Sequence, residues 1–161
     1  MQNKSQVGAI DHDSQKQRIE NKLKIAFIHL NVRHKDLEAN RQNIIELNRK
    51  AANRGADLIL NPELAVSGYS FSSRNDIAKY VISKDDCLLT SLSEIAKEHG
   101  AYIIIGLAER DDATWIYYNS AIVIDPDGRR ICTYRKINAE SRWSCPGRAD
   151  QDDFFDTRWG R

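Results

Sequence analysis

Residues 57–63 read Asp-Leu-Ile-Leu-Asn-Pro-Glu, a short apolar run that ends in a proline. Consecutive apolar residues of this length are typical of a strand buried in a parallel sheet. Proline donates no backbone hydrogen bond and restricts the residue before it, so the strand must end at Asn61 or Pro62. Glu63 is therefore predicted to lie just beyond the end of a buried strand.

The segment before this strand predicts a first strand and a helix. Residues 25–30 are almost entirely apolar, which favours a strand buried on both faces. From 36 to 54 apolar side chains recur at helical spacing, and Gly55 then favours the end of a helix. An amphipathic helix is expected to cover the sheet.

The segment after Glu63 continues the alternation of helices and strands. A helix is predicted over 84–99 and strands over 101–107, 116–124 and 130–134. Asp125-Pro126-Asp127-Gly128 favours a tight turn, so the last two strands should form an antiparallel hairpin. The predicted fold is α/β, with a mostly parallel sheet that carries one antiparallel hairpin.

Composition limits the possible partners of the chain. Its 161 residues include 41% hydrophobic and 29% charged residues, with a formal charge of +1, which suits one globular domain without affinity for polyanions. We predict a disordered polar leader at 1–22 and a domain at 23–161. The longest apolar run, 101–108, is too short for a membrane helix, and no signal peptide is recognisable, so we expect a cytoplasmic protein without nucleic acid or membrane partners.

Cysteine and histidine patterns argue against a disulfide framework and a metal site. Cys87, Cys132 and Cys145 are widely spaced and form no C-x-x-C pair. His29 and His34 lack the spacing of a zinc-binding helix. We expect reduced thiols, no metal and no cofactor.

Two residues are candidates for catalysis because ligands of α/β sheets bind beyond the carboxyl ends of the strands. Glu63 in an apolar crevice would lose solvation, which raises its pKa and suits it to proton transfer. Lys136, directly after the last hairpin strand, would stabilise an oxyanion or a thiolate. Each also has a structural interpretation: Glu63 as a carboxylate that caps a turn or pairs with a base, and Lys136 as part of a solvated row of bases.

Six segments, in order along the chain, resemble the nitrilase superfamily of carbon–nitrogen hydrolases. They are the opening strand, Pro62-Glu63-Leu64-Ala65-Val66-Ser67-Gly68-Tyr69, Gly106-Leu107-Ala108-Glu109, Tyr118-Asn119-Ser120-Ala121, Pro126-Asp127-Gly128 and Tyr134-Arg135-Lys136. The resemblance implies an α-β-β-α sandwich with a Glu-Lys-Cys triad, of which this chain would supply part. Glu63 matches the general base, and Lys136 matches the lysine that stabilises the tetrahedral intermediate.

The same resemblance implies further site residues and a substrate class. Glu140, in the loop after the lysine, is the candidate for a second glutamate, and Tyr69 and Asn119 are candidates for substrate binding. The expected substrate is a small nitrile, amide or N-carbamoyl compound. A homo-oligomer is expected for a full-length form.

The departure from the family concerns the nucleophile. The family's cysteine ends a strand well beyond the lysine, whereas Cys145 follows Lys136 by nine residues in a polar loop. We therefore expect the nucleophilic cysteine to be absent, with Cys145 as a weak substitute. The first hypothesis is a carbon–nitrogen hydrolase domain truncated at its carboxyl end and inactive alone. The second is a non-catalytic α/β binding or assembly module that keeps the scaffold.

Overall fold

A computed structural model describes residues 22–150 and 154–160. The predicted leader at 1–22 lies almost entirely outside the described residues and stays a prediction. The described strands are β1 (Ile25–Phe27), β2 (Leu58–Leu60), β3 (Tyr102–Arg110), β4 (Tyr117–Ile124) and β5 (Arg130–Arg135), and the helices are α1 (Leu37–Asn53), α2 (Arg74–Ile77) and α3 (Cys87–His99). None of these helices is long and apolar enough to cross a membrane.

The five strands form one sheet in the order β1-β2-β3-β4-β5. β1 pairs with β2 and β2 with β3 in parallel, whereas β3–β4 and β4–β5 are antiparallel. The predicted hairpin is confirmed, and the antiparallel part extends one strand further than predicted. The link between Arg110 and Tyr117 is too short for the crossover that parallel strands need.

The two long helices begin at acidic caps. The carboxylate of Asp36 accepts from the backbone of Ala39 at 3.2 Å, and that of Asp86 accepts from the backbone of Leu88 at 3.0 Å. Such caps satisfy backbone N–H groups that the first helical turn leaves unpaired. Gly100 ends α3 with φ +63°, a conformation that glycine adopts without strain.

Both long helices pack on the same face of the sheet. This helix-covered face carries the main core, in which Ile44 of α1, Ile95 of α3 and Ile103 of β3 are fully buried. Alternate residues of the strands point to it, as the period of two requires. The described residues thus build one helix layer and one sheet, half of the predicted sandwich.

The opposite face of the sheet, called the open face below, is exposed at β1, whereas a second apolar cluster covers it near the end of β3 and the start of β4. On β1, Ile25 is 43% exposed and Phe27 78% exposed, so the prediction of a strand buried on both faces was wrong. β1 is an edge strand, and among the described residues no second layer packs on this side of it. Near the start of β3, Phe155 and Trp159 lie against Tyr102, with ring centroids 6.4 and 5.8 Å away.

Candidate functional site

A shallow cavity of about 270 Å³ lies on the open face, where β2 and β5 end. β5 is antiparallel to β4, which is antiparallel to β3, so β5 runs in the same direction as β2. Their carboxyl ends therefore meet at one edge of the sheet. The cavity is lined by Asn61, Glu63, Ile104, Gly106, Asn119, Ser120, Ala121, Tyr134 and Lys136.

The backbone around Glu63 is held closely against β3. A Cβ on Gly106 would lie 2.6 Å from the Cα of Glu63 and 2.8 Å from the carbonyl oxygen of Pro62, so this approach needs glycine. The next residue, Leu64, adopts a left-handed φ of +46°, which is costly for a side chain of this size. Ala65 then donates its N–H to the carbonyl oxygen of Gly106 at 2.9 Å. Together these contacts fix the position of the Cα atom of Glu63.

Three side chains converge on Glu63. The Lys136 ammonium donates to Oε1 of Glu63 at 2.6 Å, and the amide of Asn119 donates to the same oxygen at 2.7 Å. The hydroxyl of Tyr69 donates to the backbone carbonyl of Glu63 at 3.0 Å. The structure therefore brings together Glu63, Lys136, Asn119 and Tyr69.

The Lys136 contact sets the protonation of the pair. The hydrogen bond from Lys136 lowers the pKa of Glu63 and outweighs the opposing effect of burial, with further lowering by Asn119. The prediction of a raised pKa for Glu63 was therefore wrong. The ammonium group of Lys136 stabilises the ionised carboxylate more than partial burial destabilises it. Glu63 in turn raises the pKa of Lys136. Both groups are charged at neutral pH.

Glu140 lies apart from this group. Its carboxylate pairs with Arg142 of its own loop at 2.7 Å, and this contact lowers its pKa to about 2. Glu140 does not line the cavity that contains Glu63 and Lys136. The structure does not bring the candidate second glutamate into contact with the pair.

The three cysteines lie elsewhere too. Cys87 is exposed at the start of α3, Cys132 is on β5 and Cys145 is in the loop that follows. The N–H of Cys145 donates to the carbonyl oxygen of Tyr117 at 2.9 Å, which places the loop along β4. None of these thiols lines the cavity.

A charged cluster on the helix side of the sheet supports the strand before Lys136, and the sequence interpretation missed it. Arg135 contacts Glu109 at 2.6 and 2.9 Å and Asp111 at 2.8 Å, which raises its pKa. Its guanidinium also lies 4.0 Å from the ring centroid of Tyr118. Glu109 was visible as part of Gly106-Leu107-Ala108-Glu109, but the pairing depends on the strand register. Across the described residues, no group of three or more His, Cys, Asp and Glu side chains is arranged to hold a metal ion.

The family model for carbon–nitrogen hydrolases matches residues 24–160. The chain belongs to the carbon–nitrogen hydrolase family. The match begins just before β1 and includes the whole sheet and the loop after Lys136. The nitrilase-like resemblance of the six segments is thus confirmed.

Curated relatives include several carbon–nitrogen hydrolases. Protein N-terminal amidase of Saccharomyces cerevisiae is 43% identical over 93 residues, which is 55% of this chain and 20% of that protein. A nitrilase of Pyrococcus abyssi is 32% identical over 117 residues, 72% of this chain and 44% of that protein. The omega-amidase of Homo sapiens is 32% identical over 125 residues, which is 70% of this chain and 43% of that protein. The chain thus spans less than half the length of each.

Solved structures agree on the fold. A crystal structure of N-terminal amidase with a Gln-Val peptide superposes with a TM-score of 0.66 at 34% identity, over 76% of this chain and 30% of that chain. The NitN amidase from Neterenkonia superposes with a TM-score of 0.65 over 79% of this chain and 50% of that chain. Its identity of 23% supports the fold alone.

Proposed function

We propose that this chain supplies the base and the oxyanion-stabilising lysine of an amidase-type carbon–nitrogen hydrolase, with Glu63 and Lys136 in these roles. The contact of 2.6 Å between Lys136 Nζ and Glu63 Oε1 carries the proposal. The two residues are far apart in sequence, belong to two motifs of the family, and meet in a cavity on the open face. An ion pair with a purely structural role at the surface would contribute little to the free energy of unfolding.

The proposed reaction is acyl transfer through a cysteine. The ionised Glu63 takes the proton of a cysteine thiol, and the thiolate attacks the amide carbon, forming a C–S bond and a tetrahedral intermediate whose oxyanion Lys136 stabilises. The C–N bond breaks, and ammonia leaves after Glu63 has passed a proton to its nitrogen. Glu63 then takes a proton from water, which attacks the thioester. The C–S bond breaks, the acid leaves, and the proton passes from Glu63 back to the cysteine sulfur. In this scheme the exposed Tyr69, whose hydroxyl donates to the backbone of Glu63, contacts the substrate.

The nucleophile of this scheme is proposed to lie outside the 161 residues. None of the three cysteines lines the cavity, and the open apolar face offers a position for a strand that carries one. The same observation favours the second candidate, a binding or assembly module without catalysis. DNA beyond the codon for Arg161 separates the two: a strand ending in cysteine, in any reading frame, supports the enzyme, and its absence from every frame supports the module.

Primary amides are the proposed substrates, with peptides that begin with Asn or Gln tested first. N-terminal amidase is a relative at 43% identity, and structures of N-terminal amidase with Gln-Val, Gln-Gly, Asn-Glu and Asn-Glu-Ala peptides superpose at 34% identity. The nitrilase relative is less similar, at 32%. These similarities support an amide in preference to a nitrile.

The experiment measures ammonia release by the protein expressed from its complete gene. Peptides that begin with Asn or Gln are compared with short aliphatic amides, nitriles and N-carbamoyl amino acids. We expect turnover of amides, and its loss in Lys136→Ala by a factor of about 10² or more. Lys97→Ala, which removes an exposed lysine of α3 on the other side of the sheet, is the matched control and should leave turnover unchanged. Failure to hydrolyse any compound of the panel would contradict the proposal.

A further inference from the structure

Asn119 lines the cavity, and its side-chain amide donates to the Glu63 carboxylate at 2.7 Å. We propose that Asn119 is a positioning residue that holds Oε1 of Glu63, so that Oε2 stays available for proton transfer, and that it is not a substrate-binding residue. This inference rests on the proposed role of Glu63 as the base. It replaces the sequence interpretation of Asn119 as a contact for the substrate.

The orientation of the Asn119 amide follows from the chemistry of its partner. An ionised carboxylate accepts hydrogen bonds and donates none, so the Asn119 atom that lies 2.7 Å from Glu63 Oε1 must be the NH₂ group. The residue is 6% exposed, which leaves little of it for a ligand. A donor that is already committed to a charged acceptor gains nothing by turning to a neutral substrate.

The two oxygens of Glu63 have different partners. Asn119 and Lys136 both donate to Oε1, at 2.7 and 2.6 Å. Among the described side chains, the hydroxyl of Tyr69 lies 3.5 Å from Oε2, which is the outer limit for a hydrogen bond. Oε1 is thus held by two donors, and Oε2 keeps the greater capacity to accept a proton.

The backbone of Asn119 ties this anchor to the rest of the site. Its N–H donates to Oγ of Ser144 at 3.0 Å, and its carbonyl oxygen accepts from the N–H of Lys136 at 2.8 Å. Ser144 is 5% exposed, and its own N–H donates to the carbonyl oxygen of Glu140 at 3.0 Å. One residue therefore fixes Glu63 through its side chain and Lys136 through its main chain. This arrangement suits a residue that sets geometry for two others.

The first test is a titration of the Glu63 carboxyl by ¹³C NMR in the 161-residue chain, with the signal assigned by Glu63→Gln. Asn119→Leu removes the donor, so the pKa of Glu63 should rise. Asn119→Asp keeps the shape and puts a second carboxylate beside the first, so the pKa should rise further. Ser120→Ala is the matched control, because Ser120 donates to Glu109 and not to Glu63.

The second test uses the complete gene product and an amide that it hydrolyses. In Asn119→Leu, kcat should fall about 10- to 100-fold with little change in KM, since a hydrogen bond to a charged group is lost. The acid limb of kcat/KM against pH should move to higher pH. A merely structural role would lower thermal stability without moving this limb.

The outcomes separate the inference from the proposed function. An unchanged Glu63 pKa in both Asn119 variants, or a raised KM with unchanged kcat, overturns the positioning role. If the parent hydrolyses no amide, the proposed function fails, and the titration alone decides whether Asn119 holds Glu63. If Asn119→Leu does not fold, the isosteric Asn119→Asp variant decides the same question.

Discussion

Gly106→Ala tests whether the close approach of β3 positions Glu63. The added Cβ would lie 2.6 Å from the Cα of Glu63, 2.8 Å from the oxygen of Pro62 and 3.1 Å from the nitrogen of Glu63. Carbon atoms in ordinary contact are ~3.5–4.0 Å apart, so the two backbones must separate by about 1 Å. The obstacles are main-chain atoms, which cannot rotate away as a side chain can.

A shift of about 1 Å is enough to break the site. The bonds from Lys136 and Asn119 to Glu63 are 2.6 and 2.7 Å long, so the same displacement takes both past the ~3.2 Å limit of a hydrogen bond. Forcing a methyl group into a packed position costs ~1–3 kcal/mol, which lowers Tm by roughly 2 to 12 °C for a chain of this size. Misplacement by 1 Å costs about 10²-fold in rate.

Thermal unfolding and the Glu63 titration measure both effects. We expect Gly106→Ala to lower Tm and to raise the pKa of Glu63, because the carboxylate loses its two donors. Gly100→Ala is the matched control: its added Cβ meets nothing within 4 Å, so its cost of ~1–2 kcal/mol comes from a left-handed φ of +63°. It should lower Tm without moving the pKa of Glu63. An unchanged Tm and an unchanged titration in Gly106→Ala would refute the reasoning.

Two further predictions concern stability. The Lys35 ammonium and the Ser72 backbone lower the pKa of Asp76 from 3.8 to about 2, so the stability that Asp76 contributes is present above 3.8 and is lost as pH falls towards 2. Asp76→Asn should therefore have a lower Tm than the parent at neutral pH, and the difference should shrink towards pH 2; a constant difference would contradict this. Asn48→Ala breaks the reciprocal pair with Asn61, whose bonds are 2.7 and 3.0 Å long, and should cost ~1–3 kcal/mol in urea unfolding. Since the two amides are coupled, Asn48→Ala with Asn61→Ala should cost less than the sum of the single variants, and strict additivity would contradict the pairing.

Much of the fold could be predicted from local patterns. Helical spacing of apolar residues and the glycines at 55 and 100 placed both long helices to within a few residues. Asp125-Pro126-Asp127-Gly128 placed the hairpin of β4 and β5. The burial of β1 was mispredicted, because an apolar run shows that residues can be buried but not whether a second layer is present to bury them.

The candidate site was partly predictable. Glu63 and Lys136 were each correctly predicted to follow a strand, and the family resemblance assigned them to one site. The predicted topology did not bring them together, because β5 runs in the direction of β2 only when β3–β4 is antiparallel as well as β4–β5. Two other contacts depend on the pairing register of β3, β4 and β5, which sequence alone leaves open. They are the hydrogen bond from Asn119 to Glu63 and the ion pair between Glu109 and Arg135. The predicted direction of the pKa shift of Glu63 was wrong because it also depends on strand pairing, which brings the Lys136 ammonium to 2.6 Å from the carboxylate.

Glu63→Gln in the complete gene product tests the central claim most directly. Glutamine keeps the size of the side chain but accepts no proton, so turnover of an amide should fall by about 10²–10⁴. Glu98→Gln, which makes the same exchange at an exposed surface ion pair with Arg49, should retain the turnover of the parent. Undiminished turnover in Glu63→Gln would contradict the account.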